Sequence, residues 1–168
     1  DFMRFEPEFK VERKVFDRRT LLAIFKLMKK GFIKTVEGVV KEGKESLVLA
    51  AKDRDGDWLA VKVYRNEYCD FKNMWKYLAN DPRFLNVKKD RWFIIKNWCR
   101  REFKNLRTAS ENNVSCPVPI AFNENVLLTS FIGRDGIPAP RLIDIKKGYN
   151  LFDVEINKDS YAKTVISD

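Results

Sequence analysis

Any catalysis in this chain must rely on carboxylates, lysines, backbone amides or a bound cofactor, because its 168 residues include no histidine. Without histidine, Ser-His-Asp and Cys-His nucleophilic sites, histidine-bound metals and imidazole acid-base catalysis are excluded. The cysteines are Cys69, Cys99 and Cys116, which are widely spaced and form no C-x-x-C motif. Neither a zinc site nor a disulfide framework is indicated, and we expect free thiols in a reducing, cytoplasmic compartment.

A lysine inside an apolar segment is the strongest single candidate for phosphate chemistry. The segment WLAVKVY, residues 58–64, predicts a β-strand in which Lys62 shares a face with Ala60 and Tyr64. A strand lysine that points into a cleft can bind phosphates when a carboxylate on a neighbouring helix holds it. Glu102, the one acidic residue of KNWCRREFKNL, is the natural partner, and we expect the pair to be buried. The alternative is a hydrated lysine on an edge strand.

Two other segments could complete a binding site. In the GKES turn, residues 43–46, Gly43 would allow backbone amides to approach a phosphate. In VLLTSFIG, residues 126–133, a buried strand leads into a loop with a glycine, an arrangement that can offer backbone donors and acceptors to a purine. Each segment also has a simpler interpretation, since most such turns bind nothing and an apolar strand commonly belongs to the core.

Periodicity predicts the elements that must position these residues. Residues 17–31 predict a helix, with Asp17 as its N-cap, an apolar stripe at helical spacing and Gly31 at its C-terminal end. The predicted fold class is α+β: a twisted antiparallel sheet of about five strands, one long helix and an extra amino-terminal helix. The remaining predictions are strands over 32–40, 46–52, 58–64 and 126–132, a turn at 53–57, a long helix over 90–109, an extended segment over 114–123, a loop at 133–142 and a weakly helical stretch near the end of the chain.

Taken together, these segments resemble a known family. The order VFDRRTLLAIFKLMKKGFIK, GKES, LAVKVY, FKNMWKYLANDPRF, WCRREFKNL, CPVPIAFNENVLLTSFIG and GIPAPRL is similar to the amino-terminal lobe of the RIO family of atypical serine/threonine protein kinases, and most like its first subfamily. The resemblance runs over residues 10–145 and implies a protein-kinase-like small lobe. It also implies that the chain binds ATP and serves maturation of the small ribosomal subunit.

The resemblance assigns roles to individual residues. A G-K-E-S/A loop in this family replaces the longer glycine-rich loop of other kinases, which implies that the GKES turn contacts the ATP phosphates. Lys62 and Glu102 are the implied catalytic pair, with Lys62 on the phosphates and Glu102 orienting it. Thr129 would hold the gatekeeper position, Ser130 and Ile132 would offer main-chain groups to adenine, and Val48 and Ala60 would cover its ring. The full set of implied nucleotide contacts is Gly43, Lys44, Glu45, Ser46, Val48, Ala60, Lys62, Thr129, Ser130, Ile132 and Pro138.

One departure from the family pattern limits the enzyme prediction. The family's catalytic loop has the form H-x-D-x-S-x-x-N and a later Asp binds the second metal, and a chain without histidine that ends at Asp168 contains neither. Phosphoryl transfer requires nucleotide, metal and a placed carboxylate together. We therefore predict no metal ligand in this chain, and expect the Mg²⁺ ligands in a carboxy-terminal lobe that it lacks. Residues 1–133 would form the amino-terminal lobe, and 134–168 the hinge and the start of the missing lobe.

Two interpretations of that departure remain open. The chain is either a fragment of a full serine/threonine kinase, which we favour, or a free-standing module that binds nucleotide, RNA or protein and catalyses nothing. Whether the protein is an enzyme depends on this choice.

The segment 65–104 contains most of the excess charge. It has eleven basic and five acidic residues, a surplus of six out of the net charge of +9, together with three tryptophans. Basic residues interleaved with aromatic ones can bind RNA phosphates and stack on bases. The resemblance to the RIO family implies that such a partner is a pre-ribosomal RNA or particle. The alternative is that Trp92, Trp98 and Phe103 pack a helix on the sheet while the lysines face water. No apolar run approaches the roughly 20 residues of a membrane span, and no membrane partner is predicted.

Overall fold

The computed structural model describes residues 8–10, 16–66, 69–80, 82 and 90–139. A mainly antiparallel sheet with helices on both faces makes up most of this part of the chain. The main sheet has the strand order β1-β2-β3-β4-β6-β5, in which β1 runs parallel to β2 and the other neighbours are antiparallel. The predicted α+β class with five antiparallel strands is confirmed, and the two-residue β1 is an addition. In chain order the elements are β1 (Glu8–Phe9), α1 (Arg18–Lys29), β2 (Thr35–Glu42), β3 (Ser46–Lys52), β4 (Trp58–Tyr64), α2 (Phe71–Ala79), α3 (Arg91–Glu111), β5 (Pro119–Asn123), β6 (Val126–Ser130), β7 (Gly133–Arg134) and β8 (Ile137–Pro138).

Strands β3 and β4 have the bounds that alternation predicted. Side chains of successive residues point to opposite faces of a sheet, so a buried set must recur at every second position. The turn between the two strands is closed by Asp53, whose Oδ1 accepts from the amides of Asp55 and Asp57 at 2.9 Å each. The core-facing set of the two strands is Leu47, Leu49, Ala51, Leu59, Val61 and Val63.

Helix α1 begins where the sequence predicts, because Asp17 caps it. Asp17 Oδ1 accepts from the amide of Thr20 at 2.8 Å, which satisfies a donor that has no partner inside the helix. The apolar stripe of α1 packs on one face of the sheet, in a core shared with the inward side chains of β2, β3, β4 and β6. The predicted amino-terminal helix is therefore present and covers this face.

The C-terminal end of α1 explains why β2 starts later than predicted. Gly31, at φ +87°, donates to the Met28 carbonyl at 2.9 Å, and Phe32 donates to the Leu27 carbonyl at 3.1 Å. This pair of bonds is a Schellman motif, in which the residue after the helix adopts the left-handed conformation that glycine tolerates. Because residues 31 and 32 terminate the helix, the strand begins at Thr35 and not at 32.

The opposite face of the sheet is covered by α2 and α3. Helix α3 matches the predicted long helix to within two residues, and Asp90 caps it by accepting from the amides of Trp92 and Phe93. Helix α2 was not predicted as a helix, because only two of its positions, Met74 and Leu78, are buried. Its packing against α3 supplies the stabilisation that its short apolar pattern lacks. No helix within the described ranges is long and apolar enough to cross a membrane.

The segment after β6 is more ordered than the predicted loop. The predicted strand 126–132 ends at Ser130, and β7 and β8 then form a small hairpin. Asp135 and Gly136 connect them with φ +50° and +76°, the backbone that a two-residue type I′ turn requires. Strand β5 lies within the predicted extended segment 114–123. The weak helix predicted near the end of the chain lies outside the described residues.

Candidate functional site

A cleft of about 420 Å³ opens where β2, β3 and β4 meet the segment that follows β6. Most of its lining side chains are aliphatic, aromatic or proline, and Thr129 and Ser130 supply hydroxyl groups. Six of the candidate nucleotide contacts predicted from the sequence line it, namely Val48, Ala60, Thr129, Ser130, Ile132 and Pro138. The other lining residues are Val40, Lys41, Pro117, Phe131 and Ala139.

The register of the sheet brings these residues together with Lys62. Ala60 is paired directly with Thr129 of β6, and Val48 of β3 is paired directly with Lys62. Paired residues of antiparallel strands direct their side chains to the same face, with Cβ atoms about 5 Å apart. Ala60 and Lys62 also share a face, since they are two positions apart on β4. Lys62 therefore lies beside the cleft without lining it.

The ammonium of Lys62 contacts a carboxylate and an aromatic ring. Lys62 Nζ donates to Glu102 Oε1 at 3.0 Å and lies 5.0 Å from the centroid of the Tyr64 ring. The two charged side chains are 34% and 29% exposed, so the expectation of a buried pair is wrong. The physical reason is the orientation of α3, which buries Cys99 and Phe103 against the sheet and leaves Glu102 at the margin of that contact.

The GKES turn lies at the end of the β2–β3 hairpin, outside the lining of the cleft. The amide of Gly43 donates to the Ser46 carbonyl at 2.8 Å, so this amide closes the turn and is not free to bind a ligand. Within the described part of the structure, the amides of Lys44 and Glu45 donate no hydrogen bond. Backbone donors in this turn are therefore available at Lys44 and Glu45, but not at Gly43.

Two of the backbone groups predicted to contact adenine, after β6, keep hydrogen-bonding capacity. The Ser130 amide donates to the Val118 carbonyl at 2.8 Å, and the Ser130 carbonyl accepts from Thr129 Oγ1 at 3.0 Å. The Ile132 carbonyl accepts from the amide of Ala139 at 3.0 Å, whereas the Ile132 amide donates to none of the groups that the structure describes. Because a carbonyl oxygen can accept two bonds, the Ser130 carbonyl and the Ile132 amide are both available to a ligand.

Burial disfavours the thiolate form of two cysteines near the sheet. Burial raises the pKa of Cys99 to about 12, and the nearby charge of Lys62 opposes this only in part. Burial also raises the pKa of Cys69 to about 11, with a smaller contribution from Glu45. Both side chains are free thiols, as is the half-buried Cys116. Only the thiolate is a nucleophile, so Cys69 and Cys99 are structural.

Comparison with known proteins identifies the family. The family model of the RIO domain matches residues 47–167. Over 143 residues the chain is 43% identical to the RIO-type serine/threonine-protein kinase Rio1 of Methanocaldococcus jannaschii, a match that covers 85% of this chain and 49% of that protein. The chain belongs to the RIO domain family. The resemblance on which the sequence interpretation rests is thereby confirmed.

Other members of the RIO family match over similar lengths. The chain is 40% identical to the Rio1 kinase of Haloferax volcanii over 83% of its length, and 34% identical to human serine/threonine-protein kinase RIO1 over 79%. It covers 48% and 24% of those two proteins, so it spans half or less of the relatives it matches. A solved complex of Chaetomium thermophilum Rio2 kinase with ADP, Mg²⁺ and phosphoaspartate has a TM-score of 0.52 at 19% identity, covering 71% of this chain and 35% of that one. At this identity the likeness shows a common fold.

Five cleft-lining residues of this RIO-domain chain were not found from the sequence. Val40 and Lys41 directly precede the end of the β2–β3 hairpin, and Pro117 lies in the segment that donates and accepts hydrogen bonds with Ser130. Phe131 lies between the predicted contacts Ser130 and Ile132, and Ala139 follows the predicted contact Pro138. Their positions next to predicted residues were a usable signal, but which of them face the cleft depends on the strand register and on the β7–β8 hairpin.

The basic segment of this RIO-domain chain uses part of its aromatic content for packing. Trp98 packs against the core on the α2–α3 face, and Phe103 is buried in it at 5.0 Å from the Phe122 ring. Trp92 lies under the guanidinium of Arg19 at 4.5 Å. Lys88 and Lys89 are outside the described residues. Within the described ranges, no three Asp, Glu or Cys residues are grouped closely enough to hold a metal ion.

Proposed function

We propose that this chain is the ATP-binding small lobe of a RIO-type serine/threonine protein kinase. The observation that carries the proposal is the Lys62–Glu102 ion pair beside an apolar cleft, with 3.0 Å between Nζ and Oε1. A lysine held by a helix carboxylate is pre-oriented as a phosphate ligand, and the cleft provides an apolar surface for a base. The kinase names of the 40–43% identical relatives support the same activity.

In this proposal the adenine ring occupies the cleft. Val48 and Ala60 share one face of the sheet and cover the same side of the ring from neighbouring strands, and Pro138 lines the same cleft. The Ser130 carbonyl and the Ile132 amide hydrogen-bond the edge of the base, since both have bonding capacity left over. Thr129 is buried and lines the cleft, and in this proposal it takes the gatekeeper position.

The phosphates extend from the cleft toward Lys62 and the GKES turn. Lys62 contributes the ammonium, and the turn contributes the amides of Lys44 and Glu45. Magnesium neutralises the charge that develops on the phosphates when it is bound. The related Rio2 kinase was solved as a complex with ADP and Mg²⁺. The metal ligands and the catalytic base are not among the candidate residues of this chain, so phosphoryl transfer is proposed for a protein that also has a carboxy-terminal lobe.

The division of the chain and its wider role are parts of the same proposal. Residues 1–133 correspond to the small lobe, and 134–168 to the hinge and the start of the next lobe. The free thiols of Cys69, Cys99 and Cys116 support a reducing, cytoplasmic location. A role in ribosomal subunit maturation follows from the family alone.

Isothermal titration with MgATP tests the nucleotide site in the purified protein. Lys62→Ala should weaken binding at least about tenfold, because it removes a charge-assisted contact to phosphate. Lys26→Ala is the matched control, since Lys26 is an exposed lysine on the opposite face of the sheet. Lys62→Ala binding ATP as well as the Lys26→Ala control would overturn the assignment.

Pre-ribosomal RNA remains a predicted partner through residues 65–104. Arg91, Lys96 and Arg100 are exposed on α3. Arg91 lies over the Phe71 ring at 5.0 Å and Lys96 pairs with Glu124 at 3.6 Å, so RNA phosphates would compete with these contacts. Charge reversal at Lys88, Lys89 and Arg91 should weaken RNA binding, and the affinity should fall steeply with salt. A non-catalytic RNA-binding module would show this pattern while Lys62→Ala had no effect.

A further inference from the structure

Arg65, the residue that follows β4, makes three contacts with the β2–β3 hairpin end. Its amide donates to the Glu45 carbonyl at 2.8 Å. Its guanidinium donates through Nη1 to the Gly43 carbonyl and through Nη2 to Glu42 Oε1, both at 3.2 Å. Nothing in the sequence pattern singles this residue out, because its partners lie about 20 positions or more away.

These contacts determine which way the peptides of the GKES turn face. A trans peptide is planar, so a carbonyl and the following amide point in opposite directions. Because the Arg65 guanidinium holds the Gly43 carbonyl, the amide of Lys44, one of the two donors assigned to the phosphates, is directed away from Arg65. The Arg65 amide fixes the other end of the turn through the Glu45 carbonyl. The Cys69 thiol also lies 3.5 Å from the Glu45 carbonyl, which holds this peptide from a second direction.

We propose that Arg65 is a positioning residue that keeps the GKES turn in its phosphate-binding shape. This inference rests on the proposed ATP site and adds that affinity for the phosphates depends on Arg65 acting through the backbone. The guanidinium side chain is 27% exposed, and its Nη1 and Nη2 groups already donate to Gly43 and Glu42. Each of these groups keeps a second N–H, so direct contact with a phosphate is the competing explanation, and the Arg65→Lys variant distinguishes the two. A fork of several donors is needed to hold a carbonyl and a carboxylate together, which lysine cannot reproduce.

The test compares ligands with and without phosphates. The affinities of MgATP and of adenosine are measured by titration calorimetry for wild type, Arg65→Gln, Arg65→Lys and the exposed-arginine control Arg18→Gln. We expect Arg65→Gln to weaken MgATP binding about tenfold and to leave adenosine binding within about twofold of wild type. Arg65→Lys should lose as much, because the charge remains but the fork is absent. Arg18→Gln should match wild type.

Two results would overturn the inference. MgATP binding of Arg65→Lys close to wild type, with Arg65→Gln impaired, would make Arg65 a direct charge partner of phosphate. Equal losses for MgATP and adenosine would make it a general structural residue. Glu42→Gln provides a milder second variant, since it weakens only the Nη2 contact, and it should shift the ratio of the two affinities in the same direction.

Failure of this inference differs from failure of the proposed function. If wild type does not bind MgATP, or binds it no better than the Lys62→Ala variant, the ATP site itself is wrong. If wild type binds MgATP and loses it in Lys62→Ala, while Arg65→Gln binds as wild type, the site stands and the role of Arg65 is wrong.

Discussion

Lys62 and Glu102 are 40 positions apart in the sequence, and their side chains meet at 3.0 Å between β4 and α3. Both side chains are about one third exposed, which gives the pair a moderate Coulomb energy that water screens. The pair is therefore better suited to orienting an ammonium than to stabilising the fold.

Glu102→Gln should accordingly separate stability from binding. We expect the free energy of unfolding to fall by at most about 1 kcal/mol, as for other solvent-accessible ion pairs. MgATP affinity should fall several-fold, because Lys62 loses the partner that orients it. Urea denaturation and calorimetric titration measure the two effects. Lys96→Gln is the control, because Lys96 lies on the same helix and pairs with Glu124 at 3.6 Å. A loss of MgATP affinity in this control would contradict a specific role for Glu102.

Asn125 is predicted to contribute more to the free energy of unfolding than the Lys62–Glu102 pair does. Its buried Nδ2 donates to Thr20 Oγ1 at 2.8 Å and to the Tyr64 carbonyl at 2.9 Å, which joins α1, β4 and the start of β6. Asn125→Ala leaves the Tyr64 carbonyl without this donor and should lower the free energy of unfolding by about 2 to 3 kcal/mol. Urea denaturation measures the loss. Asn123→Ala is the comparison, because its amide contacts the Ala23 carbonyl at 3.5 Å and is only half-buried. Equal losses in both variants would show that the buried hydrogen bonds of Asn125 stabilise the fold no more than the single contact of Asn123.

The two buried thiols predict a loss of stability in alkaline solution. Burial raises the pKa of Cys99 and Cys69 from 9.0 to about 12 and about 11. Between about pH 9 and 11 the unfolded chain releases these protons and the folded chain retains them. The free energy of unfolding should therefore fall with pH, by up to about 1.4 kcal/mol per pH unit for each thiol. The stabilisation is complete below about pH 9.

Cysteine variants isolate this contribution from other alkaline titrations. Denaturation of Cys99→Ala between about pH 8 and 11 should give a shallower pH dependence than wild type. A slope unchanged in Cys99→Ala would show that this thiol ionises equally in both states.

Gly136 is predicted to be intolerant of a side chain. Its φ of +76° is strained for any other L-residue, and an added Cβ would lie 2.7 Å from the Trp58 ring. Gly136→Ala should cost about 1 to 3 kcal/mol in the free energy of unfolding and shift the β7–β8 hairpin that borders the cleft. Gly38→Ala is the matched control, since an added Cβ there meets nothing within 4 Å. Fluorescence of Trp58 and urea denaturation report the change, and similar behaviour of both variants would contradict the steric argument.

The sequence predicted those features that depend on near neighbours. The bounds of β3 and β4 follow from alternation, and α1 follows from the Asp17 cap, its apolar stripe and Gly31. The order of the GKES turn, the strand lysine and the later buried strand was sufficient to indicate the family. Each of these signals arises from interactions between residues a few positions apart, so it is visible in the local sequence.

Tertiary structure decided the features that join distant segments. The Lys62–Glu102 pair is about one third exposed, at the margin of the contact between α3 and the sheet. The Gly43 amide is already hydrogen-bonded, and Arg65 contacts the GKES turn. Helix α2 forms because α3 packs against it, and the cleft takes its shape from the register of β3, β4 and β6. These features depend on which faces meet when the sheet and helices pack, and no local pattern in the sequence encodes the distance or the burial of such contacts.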